Sequence, residues 1–489
     1  MPDILATLRE RMPEELERTV ARAERVLARR FDLLGYRDLD FGRDIDWQLE
    51  PVHGRRAASA PWPSIPYLDF ERTGDHKIIW ELNRHQFLVT LAKAYRITDD
   101  ARFAAGLEEL WYDWRRKNLY PLGVNWASTL EVAFRAASWM WAAFLLEGTA
   151  ADSARFQRDI AMELAHAGWY IERFLSTYFA PNTHLLGEGA VLFLIGARYP
   201  GLRRAARWRE TGWRIVLEQA GRQVRADGMH FEQSVYYHVY ALDFFLHARI
   251  MAERNGAAIP KALDETIRKM TEALALLSRG GAPPRFGDDD GGRLFDPSRN
   301  GAEHMTDPLS TGAALFRDAG WKAASPGLIE ETLWLLGTEG AAAYDALPAA
   351  AEPVRTAALP ASGIYVSASP GPPSRRLFVD AGETGALSAG HGHADALSVQ
   401  LSSGGRFRLA DPGTFGYAGS DSRRDRFRGT AAHNTLTVDA LDQAEAAGPF
   451  AWTARPRVEA LRWFAGETFD FFEGRHSGYE RLAEPVTHR

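Results

Sequence analysis

Cysteine is absent from the 489 residues. Disulfides and thiolate metal sites are thereby excluded, and the redox compartment is left open. An excess of positive charge is also missing: 58 Lys and Arg stand against 64 Asp and Glu, a formal net charge of −6. Nothing in that balance points to a nucleic-acid partner. No uninterrupted apolar run is long enough to span a bilayer. The opening segment, MPDILATLRERMPEELERTVARAERVLARRF, reads as an amphipathic charged helix and lacks the apolar centre of a secretion signal. On this reading alone the chain is expected in the cytoplasm.

What is present is the composition of a folded protein: 46% hydrophobic residues, 25% charged, with 15 Trp, 15 Tyr and 26 Phe. The length exceeds what one hydrophobic core serves, so more than one domain is expected.

From about residue 75 to 340 the apolar residues recur with helical spacing. Phe103, Leu107, Leu110, Trp111 and Trp114 share one helix face. Further helices are expected over Thr129–Leu146, Arg158–Phe174, His184–Ala197, Trp208–Val224, Ser234–Arg254 and Lys261–Ser278, separated by short Gly-, Pro- and Asn-rich loops. Successive helical hairpins of this kind close into an α/α toroid or stack as a solenoid. The pattern changes in Leu347–Pro373, which is rich in Ala, Pro, Ser and Gly, and a domain boundary is placed between residues 350 and 351. Beyond it the period is two: Leu397, Val399 and Leu401, then Phe407 and Leu409, then Leu436 and Val438. Ser402-Ser403-Gly404-Gly405 is a hairpin signal. The expectation is a multidomain α+β chain, helical over 1–350 and an antiparallel β-sandwich over 351–489. Strand pattern still runs at Arg489, so the sandwich is expected to be incomplete at that end.

The strongest local signal is Gly390-His391-Gly392-His393-Ala394-Asp395. A strand here sets His391 and His393 side by side, an arrangement for a transition metal or for one catalytic and one metal-binding imidazole. The hairpin brings Asp411 back beside residues 395–397, and Ala432-His433-Asn434 precedes another expected strand. His393, Asp411 and His433 make a His2Asp set suited to zinc. In the helical half, Asn182 and His184 open one helix, where Asn182 also reads as an N-cap. Gly228–His238 crowds Glu232, Gln233, Ser234, Tyr236, Tyr237 and His238 into the start of another. Asn125 and Trp126 suit a sugar groove or interhelical packing. The acidic, Gly-rich run Phe286–Arg293 reads as a solvated or Arg-binding turn. Of Arg423, Arg424, Arg426 and Arg428, two are expected to hold a substrate carboxylate or sulfate.

Seven of these stretches, in order, carry a resemblance: WELNRH, GVNWASTLEVAFRAASW, NTH, DGMHFEQSVYYH, GHGHADALS, LADPGTFGY and FRGTAAHNTL. Together they resemble the heparinase II/III-like polysaccharide lyases, from about Phe31 to the C-terminus. The resemblance implies an α/α toroid followed by a β-sandwich, and cleavage of an acidic, uronate-containing glycan by β-elimination. It implies Asn182 or His184 as the group that neutralises the uronate carboxylate, Tyr237 as acid or base, and His391 as a catalytic histidine. Asn125, Trp126, Glu232, His238, Arg424 and Arg428 are the expected substrate contacts. His393, Asp411 and His433 match a structural zinc site, and no organic cofactor is implied. Many relatives carry Asn-Asn-His where this chain has Asn182-Thr183-His184, so both end residues stay candidates. By analogy with the family the protein is expected in the periplasm or outside the cell, against the cytoplasmic reading above. Two other readings stay open. A glycoside hydrolase needs two carboxylates, for which Glu232 and Asp288–Asp290 are the clustered candidates. The other is a non-catalytic protein that handles exopolysaccharide.

Overall fold

Two kinds of helix alternate through the first two thirds of the chain, and their apolar patterns say which is which. In a computed structural model, residues 2–178, 180–289, 291–349, 353–419 and 423–489 are described. The chain opens with α1 (Pro2–Arg11) and α2 (Pro13–Leu27), then the short ribbons β1 (Arg30–Leu33) with β2 (Tyr36–Asp40) and β3 (Leu49–Glu50) with β4 (Arg55–Arg56). There follow α3 (Phe70–Thr73), α4 (His76–Asn83), α5 (Gln86–Thr98), α6 (Ala101–Lys117), α7 (Thr129–Leu146), α8 (Ala154–Arg173), α9 (Thr183–Arg198) and α10 (Ala205–Gln223). The helical part is completed by α11 (Val235–Arg254), α12 (Lys261–Ser278), α13 (Asp307–Phe316), α14 (Ala319–Ala324) and α15 (Glu330–Asp345).

Helices α5, α7, α9 and α11 are buried on almost every side. Helix α8 buries only the stripe Phe156, Ile160, Leu164, Ala167, Gly168, Tyr170 and Ile171, the spacing of a helix with one wet face. The helices α6, α8, α10 and α12 pack against α5, α7, α9 and α11 respectively, each keeping one exposed face. Contacts pass from α5 to α7, α9, α11, α13 and α15, and return through α1 and α2 to α5. The ion pair Arg11–Asp345 (2.8 Å) helps join the two ends of this circuit. The helices expected between residues 103 and 278 are found, with ends shifted by at most a few residues, whereas the single helix expected at the N-terminus is divided into α1 and α2 at Met12-Pro13 and gives way to β1 at Arg30. Among the described residues, no helix is long and apolar enough to cross a membrane.

The second part holds β5 (Ala357–Leu359), β6 (Ile364–Ser369), β7 (Arg375–Asp380), β8 (Val399–Ser403) and β9 (Arg406–Leu409), which form one antiparallel sheet in that order. The β8–β9 hairpin turns on Gly404 and Gly405, both at positive φ, as their sequence signals. After α16 (Arg423–Arg428) come β10 (Glu445–Ala446) paired with β11 (Trp452–Ala454), and a three-stranded sheet of β12 (Val458–Ala465), β13 (Asp470–Tyr479) and β14 (Val486–His488). Alternation along β6 and β7 explains the layering. Ile364, Val366 and Phe378 face the helices and join their core, whereas Tyr365 and Val379 pack with Val458, Trp463 and Phe472 of the outer sheet.

The junction is also polar. Arg376 is almost wholly buried and reaches from β7 to the carbonyls of Leu277 and Ala282, both at 2.9 Å. Ser362 binds Asp227 through its N–H and its hydroxyl, each at 2.8 Å. The expected boundary between 350 and 351 falls outside the described residues.

Two strand expectations are corrected. Leu436 and Val438 form no strand; Val438 makes a single bridge to Leu441. Residues 389–398, expected as the strand bearing both histidines, are turns, because Leu387, Ala389 and Leu397 hold positive φ and break the extended run.

Candidate active site

The N-termini of α9 and α11 open side by side, and each is capped by a polar side chain that fixes its first turn. Asn182 caps α9 through Oδ1, which accepts from His184 N–H at 3.1 Å. Its Nδ2 donates to Glu232 Oε1 at 2.7 Å, and Thr183 binds the other Glu232 oxygen through its hydroxyl and its N–H. Ser234 caps α11 by accepting from Tyr237 N–H at 3.0 Å. These caps set Asn182, Glu232 and Tyr237 around one point.

The loop 389–398 of the second part closes over that point. The His391 imidazole lies flat on the Tyr237 ring, centroids 3.7 Å apart and planes 21° apart. His391 Nε2 is 3.9 Å from Glu232 Oε1, which is beyond hydrogen-bond reach. Tyr417 stands beside both: its hydroxyl is 3.3 Å from that of Tyr237 and 3.5 Å from His391 Nδ1. Arg424 spreads over the Tyr417 ring at 4.7 Å, and Lys77 Nζ lies 5.4 Å from the same centroid. Tyr417 also lines a polar cleft of about 560 Å³ together with Tyr36, Lys77, Glu81, Asn300 and Arg423.

Beneath His391 sits Asp288, whose side chain is fully buried. Its carboxylate meets His391 Nδ1 at 3.0 Å, His393 Nε2 at 2.9 Å, Thr414 Oγ1 at 3.0 Å and both terminal nitrogens of Arg424 at 2.5 and 2.8 Å. Burial alone pushes this carboxyl up, but Arg424 and the two histidines hold it well below the usual carboxylate range. Burial pushes Glu232 up, against the opposing pull of His391, Thr183 and Asn182. It pushes His184 down to about 4, with the neighbouring His391, Lys77 and Arg84 adding to the effect. His184 is therefore neutral at neutral pH.

Behind Asp288 lies a second knot. One ligand atom each from His393, Asp395 and His433 fall within 4.8 Å of one another, all three residues buried. His393 Nδ1 and His433 Nε2 are buried without a hydrogen-bond partner, an expensive state for two ring nitrogens unless something takes their lone pairs. Two imidazoles and a carboxylate converging in this way suit zinc. The expected set was His393, Asp411 and His433. Here Asp395 is within reach of the two nitrogens, while Asp411 meets the far side of His433, Oδ2 to Nδ1 at 2.7 Å. Asp411 thus holds the ring nitrogen of His433 that faces away from the knot.

Several expected substrate contacts lie elsewhere. Asn125 is fully buried and donates to Trp47 O, Asn83 Oδ1 and Asn118 Oδ1 between helices. Trp126 is buried against Trp114, Tyr120 and Tyr170, with Arg135 over its ring. His238 is fully buried, its Nε2 3.0 Å from Met270 O. Arg428 gives all three nitrogens to Asp425, Gly448 O and Pro449 O and stacks on Trp452. Asn125, His238 and Arg428 serve buried polar partners, Trp126 packs among aromatic rings, and none of the four lines the cleft. Arg424 lines it but is tied to Asp288. Of the hydrolase candidates beside Glu232, Asp288 accepts from five donors, Asp289 accepts from Thr414 N–H at 2.8 Å and faces Arg285, and Asp290 lies outside the described residues. Asp395, Tyr417 and Lys77 belong to the site although the sequence gives them no role, and Asp288, a candidate hydrolase carboxylate by sequence, is bound to Arg424 and two histidines instead. Asp288 and Tyr417 did lie inside noted motifs, FGDDDGGR and GTFGY.

Comparison with known proteins agrees with this layout. The model described as Heparinase II/III N-terminus matches residues 7–292, and that described as Heparinase II/III-like, C-terminal, matches residues 351–489. The heparin-sulfate lyase of Pedobacter heparinus is 27% identical over 421 residues, covering 83% of this chain and 55% of that protein. The heparin-sulfate lyase of Bacteroides stercoris is 25% identical over 454 residues, covering 87% and 61%. The chain thus spans little more than half the length of these relatives. Among solved structures, that of heparinase III superposes with a TM-score of 0.72 at 18% identity, over 94% of this chain and 67% of the other. A heparan sulfate lyase from Pedobacter heparinus gives 0.58 at 24%, over 94% and 64%. These structures share the fold: a helical part followed by an antiparallel sheet-rich part. With both of its segments matched, the chain belongs to the heparinase II/III family.

Proposed function

We propose that the protein is a polysaccharide lyase that cleaves a uronate-containing glycan of the heparan sulfate type by β-elimination. The observation that carries this reading is the contact of Tyr237 with His391 at 3.7 Å, beside the Asn182–Glu232 pair. The heparin-sulfate lyase relatives supply the substrate class.

In the reaction the C5–H bond breaks and its proton passes to a base. The electron pair forms the C4–C5 double bond, the C4–O4 bond breaks, and O4 takes a proton from an acid. The C5 proton is only weakly acidic, so the charge building on the carboxylate must be met by fixed donors. Asn182 and neutral His184 are the groups that do this, at the positive end of α9. Tyr237 and His391 divide the two proton transfers. Lys77 and Arg423 line the cleft and give an acidic chain its charge match.

Zinc is the proposed metal, held by His393, Asp395 and His433 with Asp411 orienting His433. When bound it neutralises the buried carboxylates there and ties residue 433 to the catalytic loop.

The test is absorbance of unsaturated uronate products on heparan sulfate, alginate and hyaluronan. Products from heparan sulfate are expected. Saturated reducing ends would favour a hydrolase, and tight binding without turnover a glycan-handling protein.

A further inference from the structure

Asp288 touches both the catalytic pair and the metal knot. An ionised carboxylate only accepts hydrogen bonds, so every nitrogen facing it must carry a hydrogen. That condition fixes two tautomers at once. His391 must hold its proton on Nδ1, 3.0 Å from Asp288 Oδ2, which leaves Nε2 of the neutral ring bare on the side of Glu232. His393 must hold its proton on Nε2, 2.9 Å from Oδ1, which leaves Nδ1 bare on the side of Asp395 and His433. His393 Nδ1 is one of the two partnerless nitrogens of that knot. The two rings therefore carry their protons on opposite nitrogens, each with its lone pair turned where it is needed.

Nothing in this arrangement is loose. Arg424 binds both carboxylate oxygens, so the group is held charged and in one orientation. The backbone is fixed too: Asp288 N–H donates to His391 O at 2.9 Å, and Asp288 O accepts from Ser234 Oγ at 2.6 Å, the hydroxyl that caps the turn of Tyr237. At the preceding Gly287, with φ +69°, a Cβ would stand 2.5 Å from His391 O and 2.9 Å from Ser234 Cβ, so the strands of this spine approach as closely as glycine allows.

We propose that Asp288 is a positioning residue that sets His391 and His393 in opposite tautomers and so couples metal binding to catalysis. This rests on the lyase reading for its catalytic half only. The two halves are separable by experiment.

The test is Asp288→Asn, which keeps the shape and replaces one acceptor by a donor. Folding is checked by its melting curve. Zinc affinity, read by competition with a chromogenic chelator, is expected to fall roughly 10- to 100-fold, and kcat by a similar factor with KM nearly unchanged. A folded Asp288→Asn protein with native zinc affinity and native kcat overturns the proposal. Should the variant not fold, the native protein decides. With ¹⁵N-labelled histidine, and signals assigned through His391→Gln and His393→Gln, the metal-free protein is expected to show hydrogen on Nδ1 of His391 and on Nε2 of His393. The reverse tautomer at either ring overturns it. If no acidic glycan is cleaved, the lyase reading fails while the zinc and tautomer results still decide the role of Asp288.

Discussion

Tyr237 of the helical part and His391 of the β part lie face to face, 3.7 Å between ring centroids, so neither part contains the candidate active site alone. Phenylalanine at 237 keeps that stack and loses only the hydroxyl, which sits 3.3 Å from Tyr417. Tyr237→Phe is expected to lower kcat on heparan sulfate roughly 10²- to 10⁴-fold with little change in KM or melting temperature. Full activity in the uronate assay would remove Tyr237 from the chemistry.

The metal knot separates an inner from an outer carboxylate. Asp395→Ala and His393→Ala are expected to abolish bound zinc, measured by elemental analysis of the purified protein. Asp411→Asn, acting through His433, is expected to weaken it only partly. Zinc retained in Asp395→Ala and lost in Asp411→Asn would exchange their places.

Arg428 and Lys77 are both basic and should answer differently. Arg428 is fully buried among protein acceptors, so Arg428→Met takes the donor from the Gly448 carbonyl and should cost about 1–3 kcal/mol of stability without raising KM. Lys77 lines the cleft, and Lys77→Ala should raise KM at an unchanged melting temperature. Denaturant melts paired with KM measurements distinguish the two outcomes.

Glu188 gives a pH signature remote from the chemistry. Burial pushes its carboxyl from 4.5 up to about 8, against the opposing hydrogen bonds of Ser176 Oγ and N–H. The folded state binds the proton more tightly than the unfolded chain. The stability it contributes is complete below pH 4.5 and is lost as pH rises through 8, at roughly 1.4 kcal/mol per unit between those values. Glu188→Gln is expected to flatten the fall in melting temperature between pH 6 and 9. An unchanged slope would place the titration elsewhere.

The helices were legible because burial leaves its period in the sequence: a stripe in α8, and near-continuous apolar residues in α7 and α9. The β8–β9 hairpin was legible because two adjacent glycines fill its positive-φ turn. Asp288 was not. An acidic, glycine-rich run ordinarily stays in water. What draws this one inside is Arg424, 136 residues on, and His391, 103 residues on, and no local pattern announces partners so distant. Asn125 and His238 misled for the opposite reason. A large helical ring buries many polar groups that serve only one another, and in sequence these look like groups meant for a ligand.

The buried reach of Arg376 into the carbonyls of Leu277 and Ala282 has a bearing on inheritance. A gene cut between the two family segments would take from the Arg376 guanidinium on one fragment its backbone acceptors and leave it Ser402 Oγ alone. It would also bare Ile364, Val366 and Phe378 on that fragment, and on the other the helical core they cover. Fragments of that kind stick to one another instead of folding. The two segments are therefore expected to travel through recombination as one inseparable unit, and shuffling one against a foreign partner should yield aggregates unless the junction travels with it.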